Sequence, residues 1–119
     1  MIRDEVIQAI EENKIIAITR GIYDEELRKL AKALVDGGIR CFEITFDQTD
    51  PNTAETITRN IKMLKKQFGD VLKLGVGTVL TTEQVHIAKE AGAEFIVSPN
   101  FNESVVKETL DAGLVSMPG

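Results

Sequence analysis

The chain has 119 residues, 43% hydrophobic and 28% charged, with nine glycines and three prolines, the composition of one soluble globular domain, residues 1–119. A net charge of -5 and a pI near 4.9 argue against nucleic acid or an anionic membrane as partner. A single cysteine, Cys41, excludes an internal disulfide and a cysteine metal cluster. No apolar run approaches the ~20 residues of a bilayer span, and the acidic stretch 1–10 resembles no signal peptide, so a cytoplasmic protein is expected.

Residues 4–13 place Val6, Ile7 and Ile10 on one side of a short amphipathic helix that can cover the end of a core. Lys14 leads into the apolar run 15–18, ended by Thr19, Arg20 and Gly21, which predicts a strand covered on both faces. Asp24 can cap the next helix, with Leu27, Leu30, Ala31 and Leu34 as its buried stripe and Gly37 and Gly38 as its stop. Residues 40–46 then alternate, Phe42, Ile44 and Phe46 on one face, Cys41, Glu43 and Thr45 on the other. A glutamate on an oily face is costly. On a face lining the mouth of a barrel it is placed for chemistry, and on an edge strand it would lie in water.

Residues 47–52 make a polar turn with Pro51, and Asn52 with Glu55 predicts a capping box. The helix that follows buries Ile57, Ile61 and Leu64 and ends near Phe68 and Gly69. Residues 71–79 form a third strand with Gly75 and Gly77 near its end; Thr81 or Thr82 opens a helix that turns Val85, Ala88 and Ala91 inward and closes at Gly92. Residues 95–99 are a fourth strand, Asn102 caps a helix with Val105, Val106 and Leu110 inward, and residues 114–119 are a fifth strand.

The joints share one grammar: Asp36-Gly37-Gly38-Ile39, Ala91-Gly92-Ala93, Ala112-Gly113-Leu114. Strands begin near residues 15, 41, 72, 95 and 115, the period of a βα unit. Eight such units give roughly 200 residues, the lower size of a (β/α)8 barrel, so the chain holds about half of one. Such a half would leave its first and fifth strands unpaired and its inner wall wet. An open flavodoxin-like sheet needs only about this length, and length alone favours it. A phosphate-accepting receiver would need acidic residues after the first and third strands, where Thr19-Arg20 and Gly77-Thr78 stand.

Taken in order, Ile16-Ala17-Ile18-Thr19-Arg20, Gly37-Gly38-Ile39, Phe42-Glu43-Ile44-Thr45-Phe46, Gly75-Val76-Gly77-Thr78-Val79, the stretch 91–99 ending in Ser98-Pro99, and Met117-Pro118-Gly119 resemble the 2-keto-3-deoxy-6-phosphogluconate / 4-hydroxy-2-oxoglutarate aldolases. The resemblance runs from about residue 14 onward. It implies an α/β fold of the TIM (β/α)8 barrel family, here four βα units and a fifth strand. It also implies a homo-oligomeric class I aldolase that splits a 2-keto-3-deoxy acid into pyruvate and an aldehyde through a lysine Schiff base, with no cofactor and no metal. The implied ligands are pyruvate and either 2-keto-3-deoxy-6-phosphogluconate or 4-hydroxy-2-oxoglutarate.

By the same resemblance Glu43 is the catalytic proton shuttle, whose pKa a partly buried site would raise. Thr78, with the close backbone approach that Gly75 and Gly77 permit, matches the residue that hydrogen-bonds the pyruvate carboxylate. Arg20 matches an arginine facing the substrate's anionic end, and Pro99 and Pro118 shape the mouth. The bland readings are a surface carboxylate for Glu43, a solvated loop charge for Arg20 and a turn hydroxyl for Thr78. His86 reads as a helix-surface residue and Cys41 as a small core side chain.

Two departures stand out. Asp47 occupies a position, four after the glutamate, where the family carries arginine or a small polar residue. The family's Schiff-base lysine lies on the sixth strand and its phosphate-binding glycine turns follow the seventh and eighth, all beyond Gly119. Lys14 and Lys73 begin strands, the wrong end of a barrel for chemistry, so the 119 residues by themselves are expected not to cleave substrate. A non-catalytic half-barrel assembly module, or another anion-binding (β/α)8 enzyme of thiamin-phosphate-synthase type, is the alternative.

Overall fold

The computed structural model describes residues 2–119. Helices and strands alternate: α1 Ile2–Asn13, β1 Ala17–Thr19, α2 Asp24–Asp36, β2 Cys41–Thr45, α3 Thr53–Phe68, β3 Lys73–Gly77, α4 Thr82–Ala91, β4 Phe95–Val97, α5 Glu103–Asp111 and β5 Val115–Met117, with a 3-10 turn at Gly69–Val71. All strand pairs are parallel, and the sheet runs β1-β2-β3-β4-β5. A flavodoxin-like sheet would place β1 between β2 and β3. The helices follow the strands in the same order, α2 packing on α3, α3 on α4 and α4 on α5. Sequential strands under a sequential row of helices make a barrel wall, here about half of a TIM-type barrel.

The alternation in β2 sorts its side chains between two cores. Phe42, Ile44 and Phe46 join Leu74, Val76 and Ile96 against Leu27, Ala31, Ile57, Ile61, Leu64, Val85 and Ala88 of the helices. Each fully buried Leu, Ile or Phe contributes about 1.5–3 kcal/mol, so this outer layer holds most of the fold's stability. On the other face Phe95 and Val115, the first residues of β4 and β5, pack with Val6 of α1. Helix α1 therefore closes the N-terminal end of the barrel wall, tied there by Arg3, whose Nε donates to the Leu114 carbonyl at 3.1 Å.

The caps expected at Thr81 and Asn102 are made: the Thr81 side chain accepts from the Gln84 amide, and Asn102 from the Ser104 and Val105 amides. Two other caps are not. Asp24 caps nothing; its φ is 57°, and its carboxylate is taken by Arg59, Nε at 2.7 Å and Nη2 at 3.1 Å, while Asn60 Oδ1 accepts from its amide. The pair ties the β1–α2 loop to α3 in place of closing α2. Asn52 and Glu55 form no capping box, because the loop spends its polar groups internally: the Asn52 amide donates to Asp50 Oδ1 and the Asp47 amide to Thr53 Oγ1.

The strands are shorter than the apolar runs that predict them. Residue 71 lies in the 3-10 turn, and residues 98 and 99 lie past the end of β4. The run at 15–18 is not covered on both faces: Ile15 is 59% and Ile18 62% exposed, since β1 is an edge whose inner face looks into the open half of the barrel. On α5, Leu110 is exposed and Thr109 is buried in its stead, its Oγ1 satisfied by the Val105 carbonyl at 2.7 Å.

Candidate active site

Glu43 stands in the middle of β2 on the inner face, and it is 4% exposed. Its register partner on β3 is Gly75, but its carboxylate leans towards the C-terminal end and lies on Gly77, where a Cβ would collide with it. At Gly75 a Cβ would strike the Phe95 ring. The two glycines thus leave room on β3 for an acid from one neighbour and an aromatic ring from the other. Burial pushes the Glu43 carboxyl above its ordinary value, and the positive charge of Arg20 opposes that rise.

Arg20 follows β1 and reaches across the strand ends to Thr78, Nη2 donating to Oγ1 at 3.2 Å. Thr78 follows β3 with a φ of 55°, the left-handed region that a β-branched residue seldom enters. Such strain costs of the order of 1–3 kcal/mol and persists where the surroundings enforce it. Glu43, Gly77, Thr78 and Arg20 therefore converge at the C-terminal rim of β1 to β3. Pro99 shares the rim but not the cluster: it is exposed after β4, and its carbonyl packs against Gly119.

Sequence reasoning passed over three participants. Thr45 is buried on the Glu43 face and donates to the Thr19 carbonyl at 3.2 Å, tying β1 to β2 at the rim. Gln48 donates to the Thr78 carbonyl at 2.8 Å, and Gln84 engages Gln48. The Thr-x-x-Gln pattern at Thr81 to Gln84 was the available signal, a capping-box spelling. Asp47 is a turn former: Thr49 donates to it from Oγ1 and from its amide, which with Arg20 nearby holds its carboxyl below the usual range.

The opposite end of the sheet carries the lysines. Lys73 Nζ lies 3.7 Å from Glu94 Oε2 and Lys65 Nζ 3.4 Å from Glu94 Oε1, away from Glu43 at the N-terminal side of β3 and β4. His86 is exposed on α4, 2.8 Å from Glu108. The Cys41 thiol is buried, which raises its pKa. Among the described residues no group of His, Cys, Asp and Glu is placed to hold a metal ion, and no helix is long and apolar enough to cross a membrane.

A family model for KDPG and KHG aldolase matches residues 6–119. The chain belongs to that family. It is 40% identical to the 2-dehydro-3-deoxy-phosphogluconate aldolase of Treponema pallidum over 114 residues, 96% of this chain and 51% of the relative. Among solved structures it is similar to the KDPG aldolase of Legionella pneumophila, described with pyruvate captured as a covalent carbinolamine intermediate: TM-score 0.76, 28% identity, 93% of this chain and 50% of that one. It is also similar to a designed cube-shaped protein cage made by fusing symmetric oligomeric domains, with TM-score 0.74 and 32% identity over 87% of this chain and 36% of that one. The chain spans about half the length of the curated aldolases it matches.

Proposed function

We propose that these residues supply the proton-transfer and carboxylate-binding side of a class I aldolase site that cleaves 2-keto-3-deoxy-6-phosphogluconate or 4-hydroxy-2-oxoglutarate to pyruvate and an aldehyde. The observation that carries the reading is Glu43, a buried carboxyl with a raised pKa, lying on Gly77 beside Arg20 and Thr78. In the cleavage direction its carboxylate takes the proton of the substrate C4 hydroxyl. The C3–C4 bond breaks, its electron pair passes into the iminium formed on a lysine, and the aldehyde leaves. The same carboxyl then returns the proton to C3 of the enamine, giving the pyruvate methyl. Arg20 and the Thr78 hydroxyl hold the pyruvate carboxylate, a guanidinium and a donor directed at one anion.

In this reading the lysine is supplied by another segment, since the lysines of residues 2–119 lie on the helices or at the starts of strands, with Lys73 paired to Glu94. Deuterium exchange at the pyruvate methyl tests the assignment, in a chimera joining these residues to the second half of the Treponema pallidum relative. Glu43→Ala should lower the exchange rate at least ~100-fold. Exchange at the parent rate would remove Glu43 from the mechanism.

A second reading is favoured by Ile18, exposed on the edge strand β1, and by Ile15, exposed just before it. An apolar unpaired edge recruits another chain, so the 119-residue chain is proposed to self-associate. Sedimentation should find an oligomer; a compact particle of 13.1 kDa with one cooperative thermal transition would contradict it.

A further inference from the structure

Around Thr78 the side chains close a hydrogen-bond ring in which neither Glu43 nor Arg20 takes part. Gln84 Oε1 accepts from the Leu80 amide at 2.9 Å and from Gln48 Nε2 at 3.3 Å. Gln84 Nε2 donates to Gln48 Oε1 at 2.9 Å, and Gln48 Nε2 donates to the Thr78 carbonyl at 2.8 Å. The two ends of the ring fix the orientation of both amides. The Leu80 amide can only donate, so Gln84 meets it with oxygen; its nitrogen then meets the Gln48 oxygen, and the Gln48 nitrogen is left for the Thr78 carbonyl, which can only accept.

The geometry is unusual for its setting. Thr81 accepts from the Gln84 amide as a cap should, and in a capping box the Gln84 side chain would return to the Thr81 amide. It goes one residue further back, to Leu80, and on to a different loop. What it encloses is Thr78, the residue held at a φ of 55°. A β-branched residue stays in that region only where its neighbours over-determine it. The Gln48 bond to the Thr78 carbonyl adds to Arg20 on the Thr78 hydroxyl and to the backbone bonds on either side, the Phe46 amide to the Gly77 carbonyl at 3.0 Å and the Val79 amide to the Val97 carbonyl at 3.2 Å.

We propose that Gln48 and Gln84 are positioning residues that lock Thr78 in its left-handed turn and thereby aim its hydroxyl at Arg20 and the carboxylate subsite. What Thr78 holds rests on the function proposed above; the lock does not. The amide pair joins the loop after β2, which carries Glu43, to the loop after β3, so the acid and the hydroxyl keep one spacing.

The test is NMR on the deuterated 119-residue chain with four variants. Gln84→Ala should speed exchange of the Leu80 amide about ten-fold, while Gln84→Glu, which keeps the acceptor, should hold it near the parent rate. Gln48→Ala and the near-isosteric Gln48→Glu, which sets a carboxylate against the Thr78 carbonyl, should both move the Thr78 Cα and Cβ shifts out of their left-handed signature. The thermal midpoint should stay within about 4 °C of the parent, as for an exposed substitution. Pyruvate titrated against the Thr78 amide should bind Gln48→Glu about ten-fold more weakly than the parent. Thr78 shifts unchanged in both Gln48 variants would overturn the lock. A parent that binds no pyruvate would instead sink the carboxylate-binding reading, with the lock still decided by those shifts.

Discussion

The two ends of β3 handle an acid in opposite ways. At the N-terminal end Glu94 is met by Lys65, by Lys73 and by the Leu74 amide at 3.3 Å, and Lys65 also donates to the Gly92 carbonyl at 2.9 Å. At the C-terminal end Glu43 is more deeply buried and feels a single cation, Arg20, whose own hydrogen bond goes to Thr78. Compensation at the first end makes a charge part of the scaffold. Its scarcity at the second leaves a desolvated carboxyl that holds its proton above the ordinary carboxylate range.

The sharpest way to break this contrast is Gly77→Ala. Its methyl would occupy the space of the Glu43 carboxylate, so overpacking should cost about 1–3 kcal/mol in denaturant melts. In the chimera it should lower pyruvate-methyl exchange nearly as far as Glu43→Ala does. Full activity and stability would mean that the acid does not rest on that glycine. Glu94→Ala addresses the other end: loss of about 1 kcal/mol, discounted for the partial exposure of Lys65, with the exchange rate untouched. A fall in exchange without a fall in stability would invert the assignment of roles.

The smallest effect is a pH dependence. In the folded chain Glu43 keeps its proton above the ordinary value of 4.5, so over the window between the unfolded and folded pKa the native state binds a proton that the unfolded chain has released. Stability due to this group is therefore full below about 4.5 and is lost as pH rises through the folded pKa. Glu43→Gln cannot ionise and should gain on the parent across that window, with a constant offset below it. Urea midpoints measured from acid to neutral pH would show this; two parallel curves would argue that the carboxyl is not desolvated.

How far the sequence could be read depended on whether a residue's fate was set locally. The alternation of Phe42, Glu43 and Ile44 set Glu43 opposite the apolar face and the βα period marked four units and a fifth strand, but the inner face and the half-barrel followed only from the family resemblance of the strand-end motifs. Glycine after α2 to α5 and the Thr81 and Asn102 caps were legible because those bonds lie within one turn. Asp24 was misread because its spelling is that of a cap while its partner, Arg59, is 35 residues away. Ile18 was misread because an apolar residue on an edge strand is spelled like one in the middle of a sheet. The Gln48–Gln84 pair, 36 residues apart, has no periodic signature, and the twist of Thr78 is invisible in a letter.

The inner face of β3 beyond Lys73 offers two glycines and no side chain of its own, so what fills that space is lent by the adjoining strands. The reach of the acid is consequently governed by peptide geometry, with no rotamer of β3 to adjust it. Anyone reshaping this mouth would do well to vary residues on β1, β2 and β4 and keep β3 fixed, treating it as the ruler against which the others are cut.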